Sequence, residues 1–188
     1  VAFSNATCII TTSDGFKSGN HKYTKKYSKK VAKYSRILAK KKKGSCNKNR
    51  ARLNLAKIHA KVADCRKDFT HKLSSRLVNE NQVISCETLQ VRNMVKNRKL
   101  SKAISDCNWG ELIRQLEYKC DWYGRDFVKI DRFFPSSKTC NNCGAVKDTL
   151  PLHIRKWHCS SCNSLLDRDL NASINIKVAG QAIIAFGA

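Results

Sequence analysis

Apolar positions along this chain follow two periods, and the switches between them mark its parts. In residues 1–16, Phe3, Cys8, Ile9 and Ile10 alternate loosely and lead to Ser13-Asp14-Gly15. That pattern predicts a strand or hairpin edge with a turn at Asp-Gly. From Tyr23 the period becomes helical: Tyr23, Tyr27, Val31, Tyr34 and Leu38 share one face, and lysines fill the other. Lys40 to Lys43, with Gly44 and Ser45, break that helix into a basic loop. A second helix is expected from about Asn49 to Val78, striped by Leu55, Ile58, Val62, Cys65, Phe69 and Leu73 or Leu77. Its spacing alternates between three and four, as in a coiled-coil seam. Residues 23–78 therefore read as a long antiparallel helical hairpin.

The run Gln82 to Leu89 is short and apolar with Glu87 near its end, as in a buried central strand. Residues 90–100 are basic and irregular. Ser105-Asp106 is read as the cap of a helix from about Trp109 to Tyr123, with Leu112, Leu116, Cys120 and Tyr123 inward and Gly124 ending it. Asp126 to Ile130 reads as another strand. Asp167-Arg-Asp169-Leu-Asn-Ala-Ser reads as a helix start with acids on its first turn, Ile174 and Val178 on its buried side, and a short apolar tail from Gly180. This order predicts an α/β fold: a mixed sheet covered by helices, with ligands at the carboxyl ends of the strands. Glu87 alone reads as an ordinary strand-end acid. Paired with Asp169 at that edge, it would attract a hard divalent cation such as Mg²⁺.

Charge sharpens the picture. Thirty-seven Lys and Arg stand against fourteen Asp and Glu, a formal net charge of +23 in 188 residues. So much like charge calls for a polyanionic partner, with nucleic acid ahead of a merely basic surface or an anionic membrane face. The lysines of the hairpin are the expected phosphate-binding arm. No apolar run approaches membrane-spanning length and no signal peptide is visible, so the expected compartment is the cytoplasm. The chain opens on Val1 and its only methionine is Met94, which suggests a piece of a longer protein or a degraded reading frame.

The most specific stretch is Cys140-Asn-Asn-Cys143, fifteen residues, then Cys159-Ser-Ser-Cys162. Two such knuckles aim four thiolates at one point, the arrangement of a structural zinc; two disulfides or four free thiols are the alternatives. The other six cysteines show no framework, as in a reducing compartment. His153 and His158 are expected to be bystanders, because four thiolates already complete a tetrahedral shell.

Phe133-Phe-Pro-Ser-Ser-Lys-Thr-Cys140, Trp157-x-Cys159 and Asp167-Arg-Asp169-x-Asn171-Ala-Ser together resemble the OrfB/TnpB proteins of insertion sequences, compact relatives of the type V CRISPR effector nucleases. The likeness extends upstream through Arg66-Lys-Asp68-Phe69, Glu87, Ser105-Asp106, Trp109-Gly110 and Gln115-Leu116-Glu117-Tyr118. It implies an RNase H-like (RuvC-like) nuclease domain with a zinc ribbon inserted before its last helix, and RNA-guided cleavage of DNA by a Mg²⁺-dependent site. By motif, the resemblance gives Glu87 the second and Asp169 the third of the family's three catalytic carboxylates, with its acidic neighbour Asp167 a weaker candidate. The implied parts are the first RuvC-like strands (1–22), the basic hairpin (23–80), the RuvC-like core (81–132), the zinc ribbon (133–166) and the final helix and tail (167–188). The family's first-strand Gly-Ile-Asp is replaced by Val1-Ala-Phe3-Ser4-Asn5-Ala6, Asn108 stands where glycine is usual, and the amino-terminal half that binds guide RNA and target DNA is not represented. The expectation is a truncated, catalytically impaired nuclease lobe in which Phe3 or Ser4 fills the place of the missing Asp. A nuclease-dead nucleic-acid-binding module and a purely structural zinc-ribbon protein are the other readings.

Overall fold

In the computed structural model, residues 1–3, 8–98 and 100–187 are described. The chain begins with three short antiparallel strands, β1 (Ala2–Phe3), β2 (Cys8–Thr11) and β3 (Lys17–Gly19). Ala2 pairs with Thr11, and the β2–β3 hairpin turns at Ser13-Asp14-Gly15 as expected. Gly15 there holds φ +89°, a left-handed value that side chains resist. Two long helices follow, α1 (Tyr23–Ala39) and α2 (Cys46–Glu80), the latter capped by the Ser45 hydroxyl, which accepts from the Lys48 amide. They form the antiparallel hairpin. The seam is the expected one, with Val62, Leu73 and Leu77 buried and Leu55, Ile58, Cys65 and Phe69 half-buried.

Next come β4 (Val83–Glu87), two short helices α3 (Val91–Val95) and α4 (Ser101–Cys107), α5 (Trp109–Trp122) and β5 (Asp126–Ile130). β4 and β5 pair in parallel, Glu87 opposite Ile130. β1 lies along the other side of β4 and points the same way: the Val1 nitrogen donates to the Ser85 carbonyl and the Phe3 amide donates to the Glu87 carboxylate. The ribbon hairpin β6 (Lys156–His158) and β7 (Leu165–Asp167) leads directly into α6 (Arg168–Phe186). A core of Ile10, Leu73, Val78, Ile84, Leu112 and Leu116 fills one side of the strands, under α2 and α5. On the other side Ala2 and Ile130 pack against Ala172 and Ile176 of α6.

Four local expectations are corrected. Residues 90–100 are not wholly irregular, since α3 forms there. Ser105 and Asp106 do not cap α5; they lie within α4, and α5 starts after Asn108 in a left-handed conformation with no side-chain cap. Tyr123 is 60% exposed, because the helix ends before it and Gly124 (φ +57°) turns the chain away. On α6 the buried face runs through Ala172, Ile176 and Gly180, leaving Ile174 half-buried and Val178 exposed. The apolar tail continues the same helix, with Ile184 and Phe186 exposed.

Candidate metal centre and acidic sheet edge

The four cysteines converge. Cys140 and Cys162 have their sulfurs 3.7 Å apart, Cys143 and Cys159 3.5 Å, and all four sulfurs lie within 4.8 Å of one another. Four sulfurs each about 2.3 Å from a tetrahedral zinc stand about 3.8 Å apart, so the donor set fits that ion and is far too open for disulfides. The two knuckles share one design. Gly144 donates its amide to the Cys140 carbonyl and Asn163 donates to the Cys159 carbonyl, each residue in a left-handed conformation just after the second cysteine. The return bonds match too, Cys140 donating to Ala145 and Cys159 to Ser164. Hydrogen bonds from Ser164, through its hydroxyl and its amide, pull the Cys162 thiol down to about 6, favouring the thiolate that a metal needs. Among the described residues the cluster consists of these four cysteines.

The ribbon is bolted to α6 by amide side chains. Asn171, fully buried, accepts the Asn141 amide at 2.9 Å and donates to the Thr139 carbonyl at 2.7 Å. Asn175, one turn on, donates to Ser136 and Thr139 at 2.8 and 2.7 Å. Ser173 donates to the Thr12 carbonyl at 3.0 Å, tying the same helix to the end of β2. The Asp-x-Asn-Ala-Ser motif is thus an acid followed by two structural clamps. The clamping role of Asn171 and Asn175 was not foreseen from the sequence; two buried polar side chains four apart on one helix face were the available signal.

Alternation along β4 places the candidate acid. Ile84 belongs to the core under α2 and α5, whereas Ser85 faces α6 so closely that a Cβ on Gly180 would come within 1.9 Å of its hydroxyl oxygen. Glu87, two residues on, is therefore on the α6 side. Burial pushes its carboxyl above the ordinary range, the Phe3 amide at 2.9 Å works against that, and the negative charge of Asp169 adds to it. Asp169 sits on the first turn of α6, with the Arg155 guanidinium of the ribbon 3.5 Å away. Asp167 is already committed. It caps α6, accepting from the Asp169 and Leu170 amides, and pairs with Lys17 at 2.8 Å. Burial alone would raise its pKa, but Lys17 and those amides hold it below the usual aspartate value.

Asp14 lies in the exposed turn beyond Thr11, and Thr11 pairs with Ala2 near the start of β1, so Asp14 is at the opposite end of the strands from Glu87. Phe3 does not stand in for a third acid. Its ring meets Trp109 edge-on at 6.0 Å, on the α5 side and away from α6. Ser4, the other position expected there, lies outside the described residues.

The hairpin carries the charge. No Asp or Glu occurs from Gly15 to Ala63. Its base is fixed by Asp106 of α4, nine-tenths buried, whose Oδ1 accepts the Thr24 amide at 2.9 Å, the Thr24 hydroxyl at 2.6 Å and the Arg66 guanidinium at 2.7 Å. Asp106 thereby caps α1 from another helix, while α1 has no cap of its own.

Fold and site together define a strongly basic mixed α/β protein with a four-cysteine ribbon docked on its last helix. Residues 5–98 match the OrfB family model described as "Probable transposase", and residues 109–176 match the "Cas12f1-like, TNB domain" model. The chain is 50% identical over 181 residues to a "Putative RNA-guided DNA endonuclease" of Streptomyces pristinaespiralis, covering 96% of this chain and 45% of that protein. A TnpB-like protein of Acanthamoeba polyphaga mimivirus is 32% identical over 165 residues, 84% of this chain and 31% of its own. Among solved structures, a chain in the cryo-EM structure of a Cas12f1–sgRNA–target DNA complex shares the fold with TM-score 0.60 at 19% identity, over 93% of this chain and 48% of that one. The chain belongs to the OrfB/TnpB family, and it spans about half the length of the curated relatives it matches, or less.

Proposed function

We propose that this chain is the nuclease-lobe portion of a transposon-encoded, RNA-guided DNA endonuclease of the TnpB type, working in the cytoplasm on DNA with a guide RNA. In this reading β3, β2, β1, β4 and β5 form one RNase H-like (RuvC-like) sheet, and the four-cysteine cluster holds a structural zinc. The observation that carries it is the placement of Glu87 at the carboxyl end of β4, facing the helix whose first turn bears Asp169. A half-buried Glu87 whose charge is disfavoured by burial and by the nearby Asp169 suits a divalent cation, and Glu87 and Asp169 would hold Mg²⁺ there. When bound, the metal activates water and stabilises the leaving oxygen of a phosphodiester. Arg155 would steady Asp169 and offer a positive group to the substrate phosphate. Residues 1–13 contain no acid, so in this reading β1 brings no carboxylate to the metal and catalysis would be impaired.

The test is titration of the zinc-loaded chain with Mn²⁺ and Mg²⁺, paired with a nicking assay. Weak divalent binding, lost in both Glu87→Gln and Asp169→Asn, is expected. Binding untouched by either substitution would sink the assignment. The second reading, a nucleic-acid-binding zinc-ribbon protein without nuclease activity, is favoured by the acid-free hairpin. It prevails if DNA is bound but no Mg²⁺-dependent nicking disappears in Glu87→Gln.

A further inference from the structure

Between the first turns of α1 and the start of α4 lies a cavity of about 340 Å³, lined by Asn20, Lys22, Thr24, Lys25, Ser28, Lys102, Ala103 and Asp106. Its polar groups are satisfied from within, with one exception. Thr24 and Asp106 are joined to Arg66, the Ser28 hydroxyl donates to the Lys25 carbonyl, and Asn20 accepts the Lys22 amide and donates to Cys107. The exception is the three ammonium groups of Lys22, Lys25 and Lys102. All three residues are exposed, and none of their side chains has an ion pair among the described residues. The single carboxylate in the lining, Asp106, is the buried partner of Arg66 and has its charge already answered. An anion with several acceptor oxygens would answer all three ammonium groups at once.

We propose that this cavity seats one phosphate group, received by Lys22 just before α1, Lys25 on its first turn and Lys102 from α4, and that in the working protein the phosphate belongs to the backbone of the bound nucleic acid. The last clause rests on the nucleic-acid reading above; the seat itself does not. Asp106 sets the geometry rather than the charge. It holds Thr24, Arg66 and α4 in one unit, so that Lys22, Lys25 and Lys102 line one cavity.

The experiment uses the full, zinc-loaded chain and a triple variant, Lys22→Gln, Lys25→Gln and Lys102→Gln. A control triple in the distal loop, Lys41→Gln, Lys42→Gln and Lys43→Gln, removes equal charge. All six positions are exposed, so both variants should fold. Affinity for a short DNA duplex is measured across salt concentrations. Three lysines sharing one phosphate should cost about tenfold in affinity while flattening the log–log salt slope by only about 0.9. Three lysines each facing its own phosphate would flatten it by about 2.7. A pocket triple that behaves like that, or like the control, overturns the seat and leaves general nucleic-acid binding intact. Lysine acylation read by mass spectrometry, with inorganic phosphate as the probe, separates the two parts of the proposal. Protection of Lys22, Lys25 and Lys102 by phosphate in a chain that does not bind DNA upholds the seat and refutes its nucleic-acid occupant. No protection by phosphate or by DNA refutes both.

Discussion

Gly180→Ala tests whether α6 is held against the sheet as tightly as the geometry says. A Cβ at this position would lie 1.9 Å from the Ser85 hydroxyl oxygen and 2.6 Å from the Ser85 Cβ. The hydroxyl can rotate away, but the Cβ cannot. Reaching an ordinary 3.4 Å contact requires α6 and β4 to separate by about 0.8 Å, taken as 3.4 − 2.6. That separation also opens the packing of Ala172 and Ile176 against Ala2 and Ile130. Overpacking of this kind costs ~1–3 kcal/mol, and a methyl fixed to two backbones belongs near the top of that range. Alanine returns about 0.8–1.0 kcal/mol of helix propensity, so the net loss is about 2 kcal/mol, or about 4–8 °C in Tm for a chain of this size. Gly110→Ala on α5 is the internal control, since nothing lies within 4 Å of a Cβ built there; it should be neutral or slightly stabilising. Denaturation should be followed with zinc held in excess, for both variants and for Gly180→Ala in a Ser85→Gly background. A Gly180→Ala protein as stable as Gly110→Ala, or a loss that Ser85→Gly does not relieve, would refute the packing argument.

Purified protein should contain one zinc per chain, and Co²⁺ in its place should give the thiolate charge-transfer bands of a four-sulfur site, lost in Cys143→Ser. Asp106→Ala should cost about 3 kcal/mol in chemical denaturation, because it strands a half-buried Arg66 and uncaps α1; Asp106→Asn should cost less. Asn171→Leu removes both the acceptor of the Asn141 amide and the donor to the Thr139 carbonyl, so hydrogen exchange at Asn141 should rise while the far ends of α1 and α2 stay protected. Phe3→Asp should lower stability by removing the ring from Trp109, and should leave Mn²⁺ affinity no higher than in the parent chain.

Local periodicity carried much of the fold. The hairpin seam was readable because a 3.6-residue period sustained over two long helices leaves little ambiguity. β4 was readable because its apolar run is short and ends in an acid. What escaped depends on contacts distant in sequence. Asp106 looks like the cap of the helix just after it, yet it caps α1, more than eighty residues earlier in the chain. No local rule distinguishes those uses of a Ser-Asp pair. The buried face of α6 was misjudged for a related reason. The helix contacts the sheet through Ala172, Ile176 and Gly180 and the ribbon through Asn171 and Asn175, so its apolar residues do not form one stripe. Following the large aliphatics alone picks out Val178, which is exposed. The thiol cluster was legible because a metal site imposes a spacing of its own.

The cofactor that the ribbon fits and the acids at the sheet edge belong to one mechanical unit. Asn171 binds the first knuckle through Asn141 and Thr139, and it lies two residues after Asp169 on the same helix. Ile176 and Gly180, further along, fix that helix against β1, β4 and β5. Arg155 closes the loop by reaching from the ribbon back to Asp169. A ribbon without its metal would lose the fixed backbone that Asn171 grips, and the start of α6 would then rest on the Asp167 cap, the Lys17 ion pair and the Ser173 bond to the Thr12 carbonyl. A metal held by the four cysteines would therefore act on the acidic edge without touching it, by holding the position of the helix that carries Asp169.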